Sequence, residues 1–146
     1  MATSREIVDA YYSALSAMDV DRFEALHHPD VVYNISGNTI ISGRYDSFAA
    51  LKQVLPAIFA ALDFDRFQFA VKWRVMNEAQ DSATAIMEAK GLARNGQRYD
   101  QRYAHIFSFR DGKISSVHEF FDTQLANDAL GFHGKPRYEN DGPFEF

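Results

Sequence analysis

The sequence predicts an α+β fold in which a curved, mostly antiparallel sheet is covered on one face by helices and encloses a pocket. Two observations predict it. Apolar residues recur at helical spacing up to Leu62, whereas apolar and polar residues alternate with a period of two after Asp63. Asn95-Gly96 and Asp111-Gly112 lie between alternating segments, and both are strong signals for β-hairpin turns. Helices followed by strands that short turns connect are typical of the α+β class.

Three helices are predicted, two before the first strand and one after it. Thr3 and Glu6 have the spacing of a capping box, so the first helix begins there and buries one apolar face. Its core residues are Ile7, Tyr11, Leu15 and Met18. Asp19 caps a second, shorter helix that Pro29 ends. Asp46 or Ser47 caps the third, and Pro56 inside its pattern predicts a kink or a restart as two pieces.

Five strands complete the prediction. Val31 to Ser36 forms the first, with Val31, Tyr33 and Ile35 on one face. The next follows Asp63, and in it polar residues alternate with the apolar residues Phe67, Phe69, Val71, Trp73 and Val75. Ser82 to Ala93 is the third, and Gly91 within it predicts a bend. The last two strands span 97–123 around the turn at Asp111-Gly112. The tail, 124–146, begins with a short helix.

The last two strands carry most of the candidate chemistry. Strand alternation places Tyr99, Gln101, Tyr103, His105, Phe107 and Phe109 on the inner face of the first. In the second, Ile114, Ser116, His118, Phe120 and Asp122 share one face, and Glu119 lies on the other. A β-bulge would exchange these assignments. An apolar setting raises the pKa of a carboxyl group, which would suit Asp122 to proton transfer. The structural alternative is that Asp122 caps the following segment by accepting hydrogen bonds from backbone amides.

Composition excludes several classes of function. With 47% apolar and 14% aromatic residues, the chain is too apolar to be disordered. The net charge of −5 gives no reason to expect binding to nucleic acid or to an anionic membrane. The absence of Cys excludes disulfides, thiolate metal sites and a Cys nucleophile. The first residues lack a basic region followed by an apolar run, so we expect no signal peptide and a cytoplasmic location.

Three segments resemble the nuclear-transport-factor-two-like superfamily, also called the cystatin-like cone. They are YYSALSAMDVDRFEALHHPDVVY, ISGRYDSFAAL and YAHIFSFRDGKISSVHEFFDT, and within the superfamily they resemble SnoaL-like and ketosteroid-isomerase-like proteins. The resemblance implies one cone domain over 1–146, a deep apolar pocket between sheet and helices, and a homodimer. The tail, 124–146, is expected to pack over the pocket mouth or on the dimer partner, because exposure of its apolar residues to water would be costly. These residues are Phe132, His133, Tyr138, Phe144 and Phe146. Cones of this kind host isomerases, dehydratases, cyclases and proteins without catalysis.

The resemblance also implies candidate catalytic residues. Tyr11 matches the tyrosine of ketosteroid isomerase, and His105 occupies the position of its protonated aspartate. The position of the aspartate base falls at Asn34 or Ile35, neither of which accepts a proton at neutral pH. SnoaL-like cyclases instead carry an aspartate late in the last strand, which Asp122 matches.

These observations lead to one functional hypothesis and two alternatives. The hypothesis is a cofactor-free acid/base enzyme of the isomerase, dehydratase or cyclase type, without the usual first-strand base, acting on a small hydrophobic molecule. Asp122 would transfer the proton, and Tyr11 and His105 would donate to an oxygen that gains charge. The substrate-binding candidates are Tyr12, Tyr33, Trp73, Met87, Tyr103, His118 and Phe120. No metal site is expected, because the adjacent His27 and His28 diverge and no third ligand follows at a supportive spacing. The alternatives are a non-catalytic protein that binds a hydrophobic ligand and an assembly module.

Overall fold

The computed structural model describes residues 1–133, and its helices precede most of its strands. The helices are α1 (Ser4–Ala17), α2 (Val20–Ala25), α3 (Phe48–Leu51), α4 (Leu55–Ala61) and α5 (Thr123–Leu130). The strands are β1 (His27–Ile35), β2 (Gly43–Tyr45), β3 (Leu62–Glu78), β4 (Ser82–Ala93), β5 (Gln101–Arg110) and β6 (Lys113–Phe121). Among these helices, none is both long and apolar enough to cross a membrane.

The helix ends follow the local chemistry that the sequence predicts. The Thr3 hydroxyl accepts from the Glu6 amide, and the Glu6 carboxylate accepts from the Thr3 amide, so the capping box is confirmed. Asp19 and Ser47 cap α2 and α3 through their side-chain oxygens. The predicted third helix is two pieces, α3 and α4, joined by a single 3₁₀ turn at Lys52–Val54, with Pro56 in the first turn of α4. Because Pro lacks an amide hydrogen, this position costs the helix no hydrogen bond.

Six strands form one curved, mixed sheet in the order β2-β1-β6-β5-β4-β3. All neighbouring pairs are antiparallel except β1 and β6, which are parallel. The predicted mostly antiparallel α+β architecture is therefore confirmed. Two boundaries were wrong. The first strand, β1, begins at His27, so Pro29 lies inside a strand instead of ending a helix. The last two strands begin at Gln101 and end at Phe121, so they are shorter than the predicted 97–123. The concave face packs on α1, whose Tyr11 and Tyr12 are both fully buried.

Two strand irregularities decide which side chains face the interior. In β3, Ala70 has a left-handed backbone (φ 48°) within a break in the pairing with β4. As a result Ala70 is buried and Val71 is exposed, although regular alternation would place Val71 on the same face as the buried Phe67. In β6, Ser108 pairs with Ser116 but Phe109 pairs with Ile114, which leaves Ser115 as an extra residue. Every side chain after this bulge points to the opposite face from the one that strict alternation gives.

The C-terminal segment is described only in part. The predicted short helix is α5, and after it Phe132 packs into the interior with 3% of its surface exposed. Its carbonyl accepts a hydrogen bond from the Ile40 amide. The predicted packing of the tail over the pocket mouth or a dimer partner also involves Tyr138, Phe144 and Phe146, which lie outside the described residues. The single-domain assignment over 1–146 therefore stays a prediction.

Gly91 allows β3 to cross β4 closely, and its replacement tests this contact. Its φ is 137°, and a Cβ atom there would lie 2.1 Å from the Arg66 carbonyl oxygen. We expect Gly91→Ala to lower the free energy of unfolding by more than about 3 kcal/mol, because the clash is with backbone and the backbone angle disfavours Ala. The control Gly96→Ala, where nothing lies within 4 Å, should cost only about 1–2 kcal/mol. Urea denaturation measures both, and equal losses would contradict the prediction.

Candidate functional site

A largely apolar cavity lies between the concave face of the sheet and the helices. Its volume is about 140 Å³. Side chains from α1, from α3 and α4, from the sheet and from the segment after α5 form its wall. Its polar wall groups include Glu119 and the hydroxyl-bearing residues Tyr11, Tyr33, Tyr99 and Tyr103. A cavity with an apolar wall and few polar groups is the usual form of a small-molecule site.

The bulge in β6 determines that Glu119 faces the cavity. Without the extra Ser115, strand alternation would place Glu119 on the outer face of the sheet. With it, Glu119 pairs with His105 across β5 and β6, on the concave face. The Glu119 side chain is 14% exposed, so its carboxylate reaches the cavity while the protein surrounds most of it.

Two donors meet on one oxygen of this carboxylate. The His105 Nε2 atom lies 2.9 Å from Glu119 Oε1, and the His105 side chain is fully buried. The Tyr33 hydroxyl donates to the same oxygen at 3.3 Å. Among residues 1–133 no hydrogen bond reaches the second oxygen, Oε2. The carboxylate is therefore held by one oxygen and has the other available for a ligand.

Further hydroxyl groups extend this cluster on both sides. The Tyr12 hydroxyl lies 2.8 Å from His105 Nδ1, and the Tyr11 hydroxyl is hydrogen bonded to that of Tyr33. Burial, followed by the negative charge of Glu119, raises the pKa of Tyr11 and of Tyr12 well above the usual value for tyrosine. Burial is also the main cause of the raised pKa of Tyr33. All three phenols are therefore protonated at neutral pH and act as hydrogen-bond donors in this cluster.

Asp122 does not lie in the cavity, so the predicted position of this candidate is wrong. It is the N-cap of α5, and its carboxylate accepts from the Leu125 amide at 2.9 Å. This is the structural alternative that the sequence offered. Asp122 instead borders a polar surface depression together with Lys90 and Arg102.

The other candidates divide according to the faces of the sheet. Tyr11, Tyr33, Met87 and Tyr103 line the cavity, whereas His105 lies behind its wall in contact with Glu119. His118 and Phe120 have the opposite orientation to Glu119 and Phe121 because of the bulge, so they do not line it. Trp73 packs behind Tyr12, with ring centroids 5.7 Å apart, and donates to Asp9 instead of facing a ligand. Tyr12 likewise contacts His105 and not the cavity.

The main residue that strand alternation misplaced is Glu119, and the sequence contained a signal for it. Ile114 and Val117 are both fully buried, although residues three apart cannot share a face of a regular strand. The two serines between them mark the bulge. Tyr99 was predicted to face inward, which is confirmed, but it was not named as a site residue. Phe132 was assigned to the tail, and it also contributes to the wall.

Within residues 1–133, no group of three or more His, Asp or Glu side chains is arranged to hold a metal ion. His27 and His28 lie in β1, where His27 donates from Nδ1 to the Phe23 carbonyl and His28 contacts the Arg110 carbonyl. The polar groups at the cavity and directly behind its wall are a carboxylate, an imidazole and phenols.

The sequence and the fold are both similar to those of known proteins. The family model for the SnoaL-like domain matches residues 8–117. A search of curated proteins finds no match to this sequence. A protein from Pseudomonas putida KT2440 that is named as a proposed polyketide cyclase has a TM-score of 0.72 at 23% identity, over 89% of this chain and 99% of that one.

Two other solved structures have the same fold. A nuclear-transport-factor-two-like protein from Burkholderia thailandensis E264 is 25% identical with a TM-score of 0.74, over 89% of this chain and 98% of that one. A Bacillus subtilis protein named as a proposed isomerase is 16% identical with a TM-score of 0.72, over 89% of this chain and 94% of that one. The cone architecture that the sequence resemblance implies is therefore confirmed.

His27 lies beside the cluster, and its burial predicts that the free energy of unfolding depends on pH. Burial is the main cause that lowers its pKa to about 4, against the smaller opposing effects of the Phe23 carbonyl and Glu24. The unfolded chain binds a proton at this residue below about pH 6.5 and the folded chain does not, so stability falls as the pH drops from about 6.5 to 4.

We expect this single residue to contribute up to about 3 kcal/mol to that loss. His27→Asn, whose amide nitrogen can replace Nδ1 as the donor to Phe23, should flatten the slope between pH 6.5 and 4 whatever its stability at pH 7. Urea unfolding at several pH values measures both slopes. An unchanged slope in the variant would show that another group causes the acid sensitivity.

Proposed function

This chain belongs to the SnoaL-like domain family, and we propose that its cavity catalyses acid/base chemistry of the isomerase or cyclase type on a small hydrophobic molecule. The observation that carries the proposal is the carboxylate of Glu119, which reaches into a largely apolar cavity and is 2.9 Å from the Nε2 atom of a buried histidine. A carboxylate within reach of a bound ligand can take a proton from it as a general base. Proton transfer by such a group typically accelerates a reaction by about 10²–10⁴-fold.

Each member of the cluster has a separate role in this proposal. Glu119 Oε2 takes the proton, because the hydrogen bonds in the cluster go to Oε1. His105 Nε2 and the Tyr33 hydroxyl donate to Oε1 and hold the carboxylate in one orientation. Tyr12 contacts the other nitrogen of the imidazole and keeps the ring in place. Asn34 and Ile35, at the base position of ketosteroid isomerase, have no part in this mechanism.

The reaction step that fits these groups is removal of a proton from carbon next to a carbonyl group. The Glu119 carboxylate forms a bond to the proton, the C–H electron pair becomes the new C=C bond, and the carbonyl electron pair moves to oxygen. Where the substrate is a β,γ-unsaturated ketone, the product of this step is a dienolate, and return of the proton to its γ-carbon gives the conjugated isomer and restores the carboxylate. Attack of the enolate carbon on a second carbonyl would give a ring instead, with the proton delivered to the new alkoxide.

The names of two structural neighbours agree with this class of chemistry. One is named as a proposed polyketide cyclase and the other as a proposed isomerase, although their identities of 23% and 16% support a common fold only. The proposal therefore depends on the residues of the cavity. A second candidate function, storage or transport of a hydrophobic ligand, is favoured by the apolar wall that Leu51, Val54 and Ile58 contribute.

Exchange of carbon-bound hydrogen in D₂O tests the base without knowledge of the natural substrate. The probe is a small cyclic ketone, and its α-protons are followed by ¹H NMR. We expect the wild-type protein to accelerate the exchange and Glu119→Gln to reduce the acceleration about 100-fold or more, because Gln cannot accept the proton.

The matched control is Asp122→Asn, which changes the carboxylate directly after β6 to an amide. Asn is as good an N-cap as Asp, so α5 should remain intact and the exchange rate unchanged. A Glu119→Gln protein as active as the wild type would rule out Glu119 as the base. A wild-type protein that binds the ketone without exchange would favour ligand binding without catalysis.

A further inference from the structure

The cavity wall carries a second polar group, a pair of hydroxyls that we call the tyrosine pair, from Tyr99 and Tyr103. Both side chains line the cavity, and Tyr99 precedes β5 whereas Tyr103 lies within it. The two hydroxyl oxygens are 3.5 Å apart, at the limit of a hydrogen bond. Tyr103 is fixed between parallel rings, with His105 on one side and Phe121 on the other. The position of its hydroxyl is therefore well defined.

The orientation of Gln101 determines what the tyrosine pair can donate. The Gln101 side chain is almost fully buried, and its Oε1 accepts from the backbone amides of Arg102 and Asp122. Because an amide nitrogen could not accept these two bonds, the side chain cannot be flipped. Its Nε2 therefore donates to the Tyr99 hydroxyl oxygen at 3.2 Å and to the Asp122 carbonyl at 2.9 Å.

The two hydroxyl groups of the tyrosine pair carry two protons, and only one of them can be donated within the pair. Tyr99 receives a hydrogen bond from Gln101, so its own proton is free to point toward Tyr103 or into the cavity. Only one of the two hydroxyl protons can lie between the two oxygens. Among residues 1–133 no other acceptor contacts either hydroxyl, so one of the two protons remains available to an acceptor in the cavity. Burial raises the pKa of Tyr99 and of Tyr103, so both groups keep their protons.

The donors near Glu119 differ, because each already has an acceptor. Tyr33 and His105 donate to the carboxylate, and Tyr11 donates to the oxygen of Tyr33. A negative carboxylate orients such a chain of donors toward itself. Tyr11 and His105, which the sequence identified as donors to a substrate oxygen, therefore have no proton to give while Glu119 is charged.

We propose that the tyrosine pair is the subsite for a substrate oxygen, and that the ligand is a small apolar ring bearing a carbonyl or phenolate oxygen. This rests on the proposed function only for the proton-transfer step. Tyr103 pairs with Phe121 and Glu119 pairs with His105, so Tyr103 and Glu119 are diagonal neighbours on one face, roughly 7 Å apart at their backbones. A carbonyl oxygen on the tyrosine pair directs its neighbouring carbon to the same cavity that Glu119 faces. The oxygen gains negative charge as the proton leaves, and the hydroxyls stabilise it.

Binding of 4-nitrophenolate tests the subsite without any turnover. At mildly alkaline pH this ion has an oxygen that can only accept hydrogen bonds, so it cannot donate to Glu119. We expect Tyr103→Phe to weaken its binding about tenfold or more in isothermal titration calorimetry, as for loss of a hydrogen bond to a charged group. Binding of 4-nitrotoluene, which has a methyl group in place of the oxygen, should change less than about twofold and reports on the integrity of the cavity.

Tyr45→Phe is the matched variant, because it removes one buried hydroxyl outside the cavity wall. We expect it to leave the affinity for 4-nitrophenolate nearly unchanged. Equal affinities of wild type and Tyr103→Phe, no binding by the wild type, or a larger loss in Tyr45→Phe would each overturn the proposal. Should Tyr103→Phe fail to fold, Tyr99→Phe replaces it, with a several-fold loss supporting the subsite and no loss overturning it. None of these results depends on the exchange assay, so failure of the subsite and failure of the base are distinguishable.

Discussion

The contact between His105 and Glu119 is the constraint on which the site depends. Transfer of a carboxylate from water into an apolar cavity costs several kcal/mol unless hydrogen bonds replace the lost solvation. Hydrogen bonds to a charged group contribute about 1.5–3 kcal/mol each, and Glu119 has one from His105 and a longer one from Tyr33. No group among residues 1–133 donates to Oε2, which leaves this oxygen able to take a proton from a ligand.

The fold provides this contact through a single extra residue. The bulge at Ser115 changes the face of everything that follows in β6, so Glu119 and Phe121 point inward and Phe120 points outward. The imidazole is fixed from behind by Tyr12, which Trp73 covers, and Trp73 in turn donates to Asp9 on α1. The helix and the sheet thus hold the acid and the imidazole together from both sides. Catalytic geometry of this kind depends on such supporting contacts, because an active group must stay within a fraction of an ångström of its place.

Local patterns predicted most of the architecture, and they failed where long-range pairing decides. Thr3 and Glu6 or the Asp111-Gly112 turn act through neighbours in the chain, so their effects were predictable. The inward face of β5 followed from simple alternation, and Tyr103 and His105 were located correctly. The bulge in β6 depends on the register of its pairing with β5, which alternation ignores. Alternation therefore predicted Asp122 at the cavity, whereas the structure has Glu119 there. The flip at Ala70 in β3 has the same origin. The acceptor of the Tyr11 proton was unpredictable for another reason, since only the contacts among Tyr11, Tyr33 and Glu119 show which group receives it.

The position of one proton decides whether Glu119 can act as the base. Base catalysis by Glu119 requires its carboxyl group to be ionised, so that the proton between it and His105 resides on Nε2 of the imidazole. ¹⁵N-detected NMR of the His105 ring at neutral pH distinguishes a protonated from an unprotonated Nε2. We predict a protonated Nε2 whose proton signal is displaced by the hydrogen bond to Glu119 and changes in Glu119→Gln. An unprotonated Nε2 would mean that Glu119 carries the proton and donates it to the ring, and it would contradict a carboxylate base in this cavity.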